Sequence, residues 1–242
     1  MKRHLLFLFT ILATVSFYAS LLTPLASAVD CSTVTLRFRD TNATKYGCVS
    51  VLQTYLKNNG FYNLAVDGSF GTGTANAVLN FQRSQKLTDD AIAGPITWSR
   101  LKAPLTLSYP IPAACKEAGT RICVSKAQRK LRMYKSGVLV KQINVRVGGW
   151  TTDKYGNYRV HHTVPGTYSV YNKDPNPSSV RYGENAMPWS VMFDPNMYVH
   201  YSDDFRIYGY ARASHGCVNV GNYTDAEWIY NNTPLNSKVI VY

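Results

Sequence analysis

The sequence contains few acidic residues and no concentrated stretch of basic ones. Among its 242 residues, 14 aspartates and glutamates stand against 26 lysines and arginines, which gives a formal net charge of +12. The basic residues are scattered, with no lysine–arginine run, no zinc-finger spacing and no aromatic–basic RNA motif, so nucleic acid is not a predicted partner. A dispersed positive charge instead favours solubility and polyanionic surroundings.

Long apolar runs are also lacking, except for one at the N-terminus. Two basic residues precede an uncharged apolar run at 5–17, Pro24 interrupts the apolar stretch, and Ala26 and Ala28 form a small-x-small cleavage site. These features predict a secretory signal peptide at residues 1–28 and no stable membrane anchor after its cleavage. An uncleaved anchor is the alternative, because the stretch is long enough to span a bilayer without a charge.

Cysteine is scarce, and its odd count is informative in an exported chain. Four of the five cysteines can pair in three ways, and we favour the local pairings of Cys31 with Cys48 and of Cys115 with Cys123. An unstrained bridge of either size adds about 2–3 kcal/mol of stability by restricting the unfolded chain. Cys217 then remains as the free thiol.

Residues 31–103 have the pattern of a small helical domain. Apolar residues recur at helical intervals between 49 and 56, and a glycine-rich loop follows at 67–71. Thr74 is placed to cap a second helix, and Pro95 is placed in the first turn of a third, where its missing N–H costs nothing. The prediction is a compact three-helix bundle.

The motifs of this domain resemble the peptidoglycan-binding repeat found on many cell-wall enzymes. They are Leu52-Gln53, Gly60-Phe61-Tyr62, Asp67-Gly68-Ser69-Phe70-Gly71, Thr74, Ala77-Val78, Phe81-Gln82 and Gly94-Pro95-Ile96-Thr97-Trp98. One departure is Asp90-Ala91, where the family usually has Asp-Gly, and it predicts a differently shaped loop. The resemblance implies a wall-targeting domain without catalytic activity.

Beyond a proline-containing linker at 104–120, the pattern changes from helical to strand-like. Residues 138–147 are rich in β-branched side chains and alternate in polarity. The polar stretch 172–189 is a candidate lid over a site, and a capping box at 224–227 predicts one helix. Residues 121–242 are therefore predicted to form a second, β-rich domain with little helix, which makes the chain multidomain.

The segment around Cys217 contains the residue types that a cysteine nucleophile needs, namely a base and donors for an oxyanion. Cys217 lies in the run Ser-His-Gly-Cys-Val-Asn at 214–219, where the N–H groups of Gly216 and Cys217 are candidate oxyanion donors. His200 stands 17 residues upstream at the end of a predicted strand. A hairpin return would bring it beside Cys217.

Two other interpretations of these residues remain open from the pattern alone. A free cysteine is often simply buried in a core. A zinc site formed by His200, His215 and Cys217 is disfavoured, because zinc ligand sets normally include a closer pair and a fourth donor. No metal is therefore predicted, and the pair His161-His162 is interpreted as a solvated strand position.

The spacing of His200 ahead of residues 214–219 resembles the signature of the L,D-transpeptidase catalytic domain, the YkuD-type fold. The supporting matches are the first hairpin at 130–141, the turn at 163–168 and the closing strand at 239–241. The turn departs from the family's Thr-Pro-x-Gly-x-Tyr because its proline is displaced, and Tyr201 stands where many relatives have glycine. The resemblance implies a mainly-β YkuD-type sandwich after the three-helix peptidoglycan-binding bundle.

The resemblance also implies roles for individual residues and no cofactor. Cys217 is the implied nucleophile and His200 the implied base, with either the backbone carbonyl of Tyr201 or the hydroxyl of Ser202 as the third member of a triad. The residues implied or suggested to shape the loop or line a substrate groove are Ser214, His215, Asn219, Met187, Trp189 and Arg212.

The implied function is a secreted bacterial enzyme, located in the cell wall or periplasm, that makes 3–3 cross-links. Its implied partners are peptidoglycan stem peptides and glycan, and it is expected to be a monomer. Water as the acceptor would make it an L,D-carboxypeptidase, and a protein amine would make it an attachment enzyme. A wall-binding protein with an inactive catalytic domain is the third alternative, and the intact Cys217 and His200 argue against it.

Overall fold

A computed structural model of the chain describes residues 29–105, 108–178 and 183–242. The signal peptide predicted for residues 1–28 lies outside these ranges, as do residues 179–182 of the candidate lid. Within the described ranges, no helix is long and apolar enough to cross a membrane.

The first domain is built from three helices around one apolar core, as predicted. The helices are α1 (Cys48–Asn58), α2 (Thr72–Ser84) and α3 (Pro95–Lys102), preceded by a 3-10 turn at Cys31–Thr33. Leu52, Phe81 and Trp98 are fully buried at its centre. The predicted cap at Thr74 is wrong, because α2 begins at Thr72 and the buried Thr74 hydroxyl donates to the carbonyl of Ser69 instead.

Two buried glutamines hold the two loops of this domain in the same way. The Nε2 of Gln53 donates to Asp67, and its Oε1 accepts from the next N–H along that loop. Gln82 repeats the pattern with Asp90 and with the N–H of Ala91. The expectation of a differently shaped loop at Ala91 is therefore wrong: Ala91 adopts a φ of 62°, the left-handed conformation that glycine usually supplies.

Two disulfides join neighbouring segments, and both are the local pairings favoured from the sequence. Cys31–Cys48 ties the first 3-10 turn to α1, and Cys115–Cys123 ties a second 3-10 turn, Ala113–Lys116, to the first strand. The second half of the predicted linker is therefore not an independent spacer. Cys115 is buried against Tyr134 in a small cluster of the second domain.

In the described residues of the second domain, the strands form a nine-stranded sheet and a separate two-stranded hairpin. Its strands are β1 (Thr120–Ser125), β2 (Lys130–Lys135), β3 (Val138–Arg146), β6 (Gly166–Ser169), β7 (Asn172–Asp174), β8 (Ser190–Asp194), β9 (Met197–Tyr201), β10 (Val218–Val220) and β11 (Lys238–Val241). The hairpin is formed by β4 (Trp150–Thr152) and β5 (Tyr158–Val160). The strand order in the sheet is β6-β11-β1-β2-β3-β10-β9-β8-β7.

The sheet curls into a sandwich because β3 belongs to both halves. Most of β3 pairs with β2, and its last residues, Val145 and Arg146, pair with β10. The two halves meet across a core, where the ring of Tyr168 on β6 lies 5.4 Å from that of Phe193 on β8. The predicted fold class, a three-helix bundle followed by a mainly-β sandwich, is confirmed.

Two further helices border the sheet, α4 (Asp203–Tyr208) and α5 (Tyr223–Asn232). The capping box predicted at 224–227 is wrong, because Asn222 caps α5 by accepting from the N–H of Asp225 at 2.9 Å. Asn is at least as good a cap as Thr, and here it precedes the first apolar residue of the helix. The first part of the candidate lid is a strand of the sheet rather than a lid, because β7 pairs with β8 there.

Candidate active site

Cys217 and His200 are brought to one face of the sheet by two adjacent parallel strands. Val218 on β10 pairs with Val199 on β9, and Asn219 pairs with His200. Val218 and Val199 are buried in the core. Because side chains alternate along a strand, Cys217, Asn219 and His200 point the other way.

That face opens into a groove with a volume of about 820 Å³. Its lining includes Cys217, His200, Asn219, Ser214, His215, Met187 and Arg212, together with Asn196 and Tyr198 from the turn and strand beside the thiol. The groove is therefore continuous from the cysteine to most of the residues singled out from the sequence.

The loop before Cys217 is held by hydrogen bonds within itself and from a buried threonine. The Ser214 hydroxyl donates to the carbonyl of Cys217 at 2.5 Å and accepts from the N–H of Gly216 at 3.2 Å. The Thr163 hydroxyl donates to the carbonyl of Gly216 at 2.7 Å. Gly216 adopts a φ of 127°, a backbone conformation that side-chain-bearing residues rarely adopt.

These contacts correct the role expected for Gly216. Its N–H is directed at the Ser214 hydroxyl, so it is not presented to the groove as an oxyanion donor. The residue is needed here for its conformation, which lets the chain turn sharply into β10.

The backbone carbonyl of Tyr201, rather than the hydroxyl of Ser202, contacts the imidazole of His200. Nδ1 of His200 lies 2.5 Å from the carbonyl oxygen of Tyr201. A carbonyl can only accept, so Nδ1 carries the proton and Nε2 is the basic nitrogen of the neutral ring. The Ser202 hydroxyl instead caps α4 by accepting from the N–H of Phe205 at 3.2 Å.

A buried arginine fixes the orientation of Asn219 and thereby the tautomer of His200. Nε and Nη2 of Arg146 donate to Oδ1 of Asn219 at 3.1 and 2.9 Å. Nδ2 of Asn219 must then face Nε2 of His200, 2.9 Å away, and donate to it. Arg146 is itself paired with Asp204 at 2.7 Å. The chain of contacts therefore holds His200 with its basic nitrogen unprotonated.

The electrostatics of the site favour a neutral pair. Burial lowers the pKa of His200 to about 4, with the charge of Arg146 acting in the same direction and the Tyr201 carbonyl opposing it. Burial raises the pKa of Cys217 to about 11, which a backbone contact from Tyr198 partly offsets. At neutral pH the site therefore holds a thiol and an uncharged imidazole, not a thiolate–imidazolium pair.

The resting geometry keeps these two groups from bonding directly. Nε2 of His200 is occupied by Asn219, and Sγ of Cys217 lies 4.0 Å from the carbonyl oxygen of Asn196. Within the described part of the chain, the thiol makes no hydrogen bond to His200. Catalytic contacts of this kind are often absent in a free enzyme and form when substrate binds.

The pKa values predict how Cys217 reacts with iodoacetamide. Alkylation is expected to be slow at pH 7 and to rise about tenfold per pH unit up to about pH 10, because the thiolate fraction grows with pH below the thiol's pKa. The rate is measured by intact mass over time, with Cys217→Ala as the blank. A plateau beginning near pH 5 would indicate a thiolate–imidazolium pair and contradict this prediction.

Of the remaining residues singled out from the sequence, His215 and Arg212 line the groove and Trp189 does not. Nε2 of His215 lies 2.7 Å from the carbonyl of Thr152, and Arg212 pairs with Asp204 at 2.7 Å while half-exposed at the groove. Trp189 does not line the groove, which corrects its suggested role. Its ring packs against Tyr223 and Tyr230 because residue 189 lies at the edge of the core.

The histidines next to the nucleophile are not arranged as a zinc site. The imidazole of His215 is turned toward Thr152, and its ring lies 5.0 Å from that of His161. Among the residues that the structure describes, no group of three histidine, cysteine or acidic side chains is placed to hold a metal ion.

Sequence reasoning missed two residues that organise this site. Arg146 takes a polar position in a strand end where polar and apolar residues alternate, yet it is only 4% exposed. Thr163 is the first residue of the family-like turn and is fully buried. The turn motif at 163–168 is a sequence signal for Thr163, whereas the burial of Arg146 is visible only in the structure.

Comparison with known proteins gives matches in both domains. The family model for the YkuD L,D-transpeptidase catalytic domain matches residues 119–241, and that of the "Putative peptidoglycan binding domain" matches residues 47–101. The N-acetylmuramoyl-L-alanine amidase CwlM of Mycobacterium tuberculosis (strain ATCC 25618 / H37Rv) is 47% identical over 49 residues. That segment is 20% of this chain and only 12% of the amidase.

Solved structures of L,D-transpeptidases are also similar over most of the chain. The enzyme from Xylanimonas cellulosilytica DSM 15894 is 27% identical, with 86% of this chain and 97% of that chain covered and a TM-score of 0.46. The enzyme from Stackebrandtia nassauensis is 21% identical, with 86% and 94% covered and a TM-score of 0.44. The region in front, residues 47–101, is similar to the putative peptidoglycan binding domain. The match at 119–241 spans half of this chain, so the protein belongs to the YkuD L,D-transpeptidase catalytic domain family.

Proposed function

We propose that this protein is an exported peptidoglycan L,D-transpeptidase that makes 3–3 cross-links through a thioester on Cys217. The observation that carries the proposal is the groove in which the thiol of Cys217 and the neutral imidazole of His200 lie on adjacent strands. Family membership supplies the reaction class. Residues 1–28 are proposed to direct export to the cell wall or periplasm, and residues 31–103 and 121–242 are the proposed binding and catalytic domains.

The first half-reaction forms the thioester. Binding of the donor breaks the hydrogen bond from Asn219 to Nε2 of His200, which frees that nitrogen. Sγ of Cys217 then attacks the carbonyl of the diamino acid at position three of a tetrapeptide stem, and His200 accepts the thiol proton at Nε2. The C–S bond forms, the C–N bond to D-alanine breaks, and the imidazolium of His200 returns the proton to the leaving amine. The Tyr201 carbonyl stabilises the imidazolium through Nδ1, and the N–H of Cys217 is the proposed oxyanion donor.

The second half-reaction transfers the acyl group to an amine. The side-chain amine of a neighbouring stem attacks the thioester, the new C–N bond forms, and the C–S bond breaks. His200 takes the amine proton and passes it to the departing sulfur, which restores the thiol. Because the pKa of His200 is lowered to about 4, its basic form is present throughout the neutral range.

The other groove residues are proposed to hold the donor and shape the site. Arg212 is half-exposed beside the groove, where its guanidinium is proposed to meet a stem carboxylate. Met187 contributes apolar surface. Ser214, His215 and Asn219 are proposed to shape the loop and hold the tautomer of His200 through the bonds described above, rather than to transfer protons. The enzyme is proposed to act as a monomer.

Product analysis tests the proposal against its alternatives. The full chain is incubated with a soluble disaccharide-tetrapeptide, and the products are separated and identified by mass. We expect 3–3 dimers together with free D-alanine. Accumulation of tripeptide without dimers would make the protein an L,D-carboxypeptidase, and no turnover with intact wall binding would make it a wall-binding protein.

A further inference from the structure

Helix α2 of the peptidoglycan-binding domain is docked on the catalytic domain through a buried asparagine. Asn76 is only 2% exposed. Its Oδ1 accepts from the N–H of Trp150 at 2.8 Å, and its Nδ2 donates to the carbonyls of Trp150 and Ala211 at 3.1 and 3.4 Å. Every polar atom of the side chain is thus used to hold the backbone of the other domain. Such a side chain costs free energy to bury unless these bonds are formed.

A second buried residue of α2 makes a comparable contact two turns further on. Arg83 is 6% exposed, and its Nη1 donates to the carbonyl of Gly148 at 2.7 Å. Its Nε donates to Asp89 at 2.7 Å, and Asp89 also pairs with Lys126 of the catalytic domain at 3.7 Å. The buried guanidinium is therefore compensated by an ion pair that reaches both domains.

Aromatic packing extends the same interface. The ring of Phe38, from the first domain, lies 5.6 Å from Trp150 and 4.6 Å from Tyr158 of the β4–β5 hairpin. Arg129 lies over the ring of Phe61 in one domain and over that of Tyr210 in the other. The hairpin is thus held on the first domain by polar and apolar contacts together.

The segment that α2 holds is the segment that supports the nucleophile loop. The N–H of Gly149 donates to the carbonyl of Ser214, and the carbonyl of Thr152 contacts the imidazole of His215. The N–H of Gly148 donates to the hydroxyl of Thr163, which in turn donates to Gly216. Residues 148–152 therefore form hydrogen bonds both to α2 and to the loop that carries Cys217.

The first domain also forms part of the groove itself. Thr72 and Asn76 line the same cavity as Cys217. The two domains approach so closely that a Cβ on Gly149 would lie 2.7 Å from Oδ1 of Asn76. A donor that fills this groove would thus contact α2 as well as the thiol.

We propose that the peptidoglycan-binding domain is a structural part of the active site, in which Asn76 and Arg83 are positioning residues for the nucleophile loop. The inference rests on the proposed function, since it assigns one wall of the donor groove to the wall-binding domain. A domain that served only as a tether would leave the turnover of small soluble donors untouched. In this protein the peptidoglycan-binding domain instead sets the position of Cys217, so it affects the turnover of small and large donors alike.

Three single variants of the full chain test this inference. Asn76→Ala removes the contacts to Trp150 and Ala211, and Arg83→Lys keeps the charge while replacing the planar fork that reaches Gly148 and Asp89 together. The matched control is Asn42→Ala. Asn42 likewise donates through Nδ2 and accepts through Oδ1, but its partner is Ser50 of the same domain.

The readouts are kcat and KM on a soluble tetrapeptide, the rate of Cys217 alkylation at pH 8, and binding to insoluble peptidoglycan. For Asn76→Ala we expect kcat to fall at least about tenfold with KM within about twofold, because small displacements of a reacting group are costly. Alkylation is expected to accelerate severalfold, because water entering a loosened loop relieves the burial that raises the thiol's pKa. Arg83→Lys should shift kcat and alkylation in the same directions.

The control is expected to match the wild type in kcat and alkylation. Wild-type values of both in Asn76→Ala and Arg83→Lys would overturn the inference, and so would a loss confined to wall binding. If Asn76→Ala fails to fold, Arg83→Lys carries the test alone. If the wild type turns over no tetrapeptide, the proposed function fails by itself, and the alkylation rates still decide whether the first domain positions Cys217.

Discussion

Replacement of Cys217 by alanine is expected to abolish acyl-enzyme formation and to reduce donor turnover by roughly 10⁴-fold or more. The reason is that the other four cysteines are joined in disulfides, so no second thiol is available to attack. The measurement is intact mass after exposure to a carbapenem, which the wild type should retain as a covalent adduct. Equal uptake of the drug by both proteins would show that the nucleophile is another residue.

The double variant with Cys115→Ser and Cys123→Ser is the matched control. It removes two sulfur atoms and the disulfide between them, which lies in a separate cluster with Tyr134 and Ile240. We expect it to lose about 2–3 kcal/mol of stability, because the bridge closes a short loop. It should still form the adduct at Cys217 at a temperature where it is folded.

Replacement of His200 by glutamine is expected to lower kcat/KM by about 10³-fold, the usual loss when a general base is removed. Glutamine lacks a nitrogen that can accept the thiol proton at neutral pH. The acid limb of the wild-type pH profile, expected near pH 4 from the pKa of His200, should also disappear. The measurement is kcat/KM on tetrapeptide from about pH 3 to about pH 9, which spans the pKa of His200.

His215→Gln is the comparison that isolates the role of His200. Both substitutions remove an imidazole beside Cys217, but His215 contacts the carbonyl of Thr152, which a glutamine amide can also donate to. We expect a loss of about tenfold or less in His215→Gln. A reversed order of severity would assign the base to His215 and contradict the mechanism.

The pair of Cys217 and His200 could be predicted from the sequence because its signal is local. The odd cysteine count singled out one thiol, and the run around it contains the residue types that a cysteine nucleophile needs. The 17-residue interval to His200 is now explained by the structure: the chain leaves β9, forms α4 and returns as the parallel strand β10. A parallel neighbour needs such a crossover, so the hairpin return expected between them is wrong.

The polar network behind His200 could not be predicted, because it depends on pairing across strands. Arg146 and Asn219 are 73 residues apart and meet only through the register of β3 and β10. Whether Tyr201 or Ser202 contacts the imidazole of His200 likewise depends on the orientation of that ring. The spacing of residues in the sequence does not determine this orientation. The low pKa of His200 follows from burial among these elements rather than from any neighbour in the sequence.

The interface between the domains could not be predicted from the sequence for a different reason. The glycines, apolar residues and buried glutamines of the first domain explain its own fold, and nothing in them shows which face is covered. Asn76 and Arg83 have the appearance of ordinary polar residues on a helix surface. Only the structure shows that both are buried and that their partners, Trp150 and Gly148, belong to the other domain.

Mass analysis of the acyl-enzyme with a natural donor tests the central claim most directly. The full chain is mixed with tetrapeptide, quenched and digested, and the peptide containing Cys217 is examined before and after addition of an amine acceptor. We predict a tripeptide thioester on Cys217 that disappears as the 3–3 dimer forms. Release of D-alanine with Cys217 unmodified throughout would contradict the mechanism.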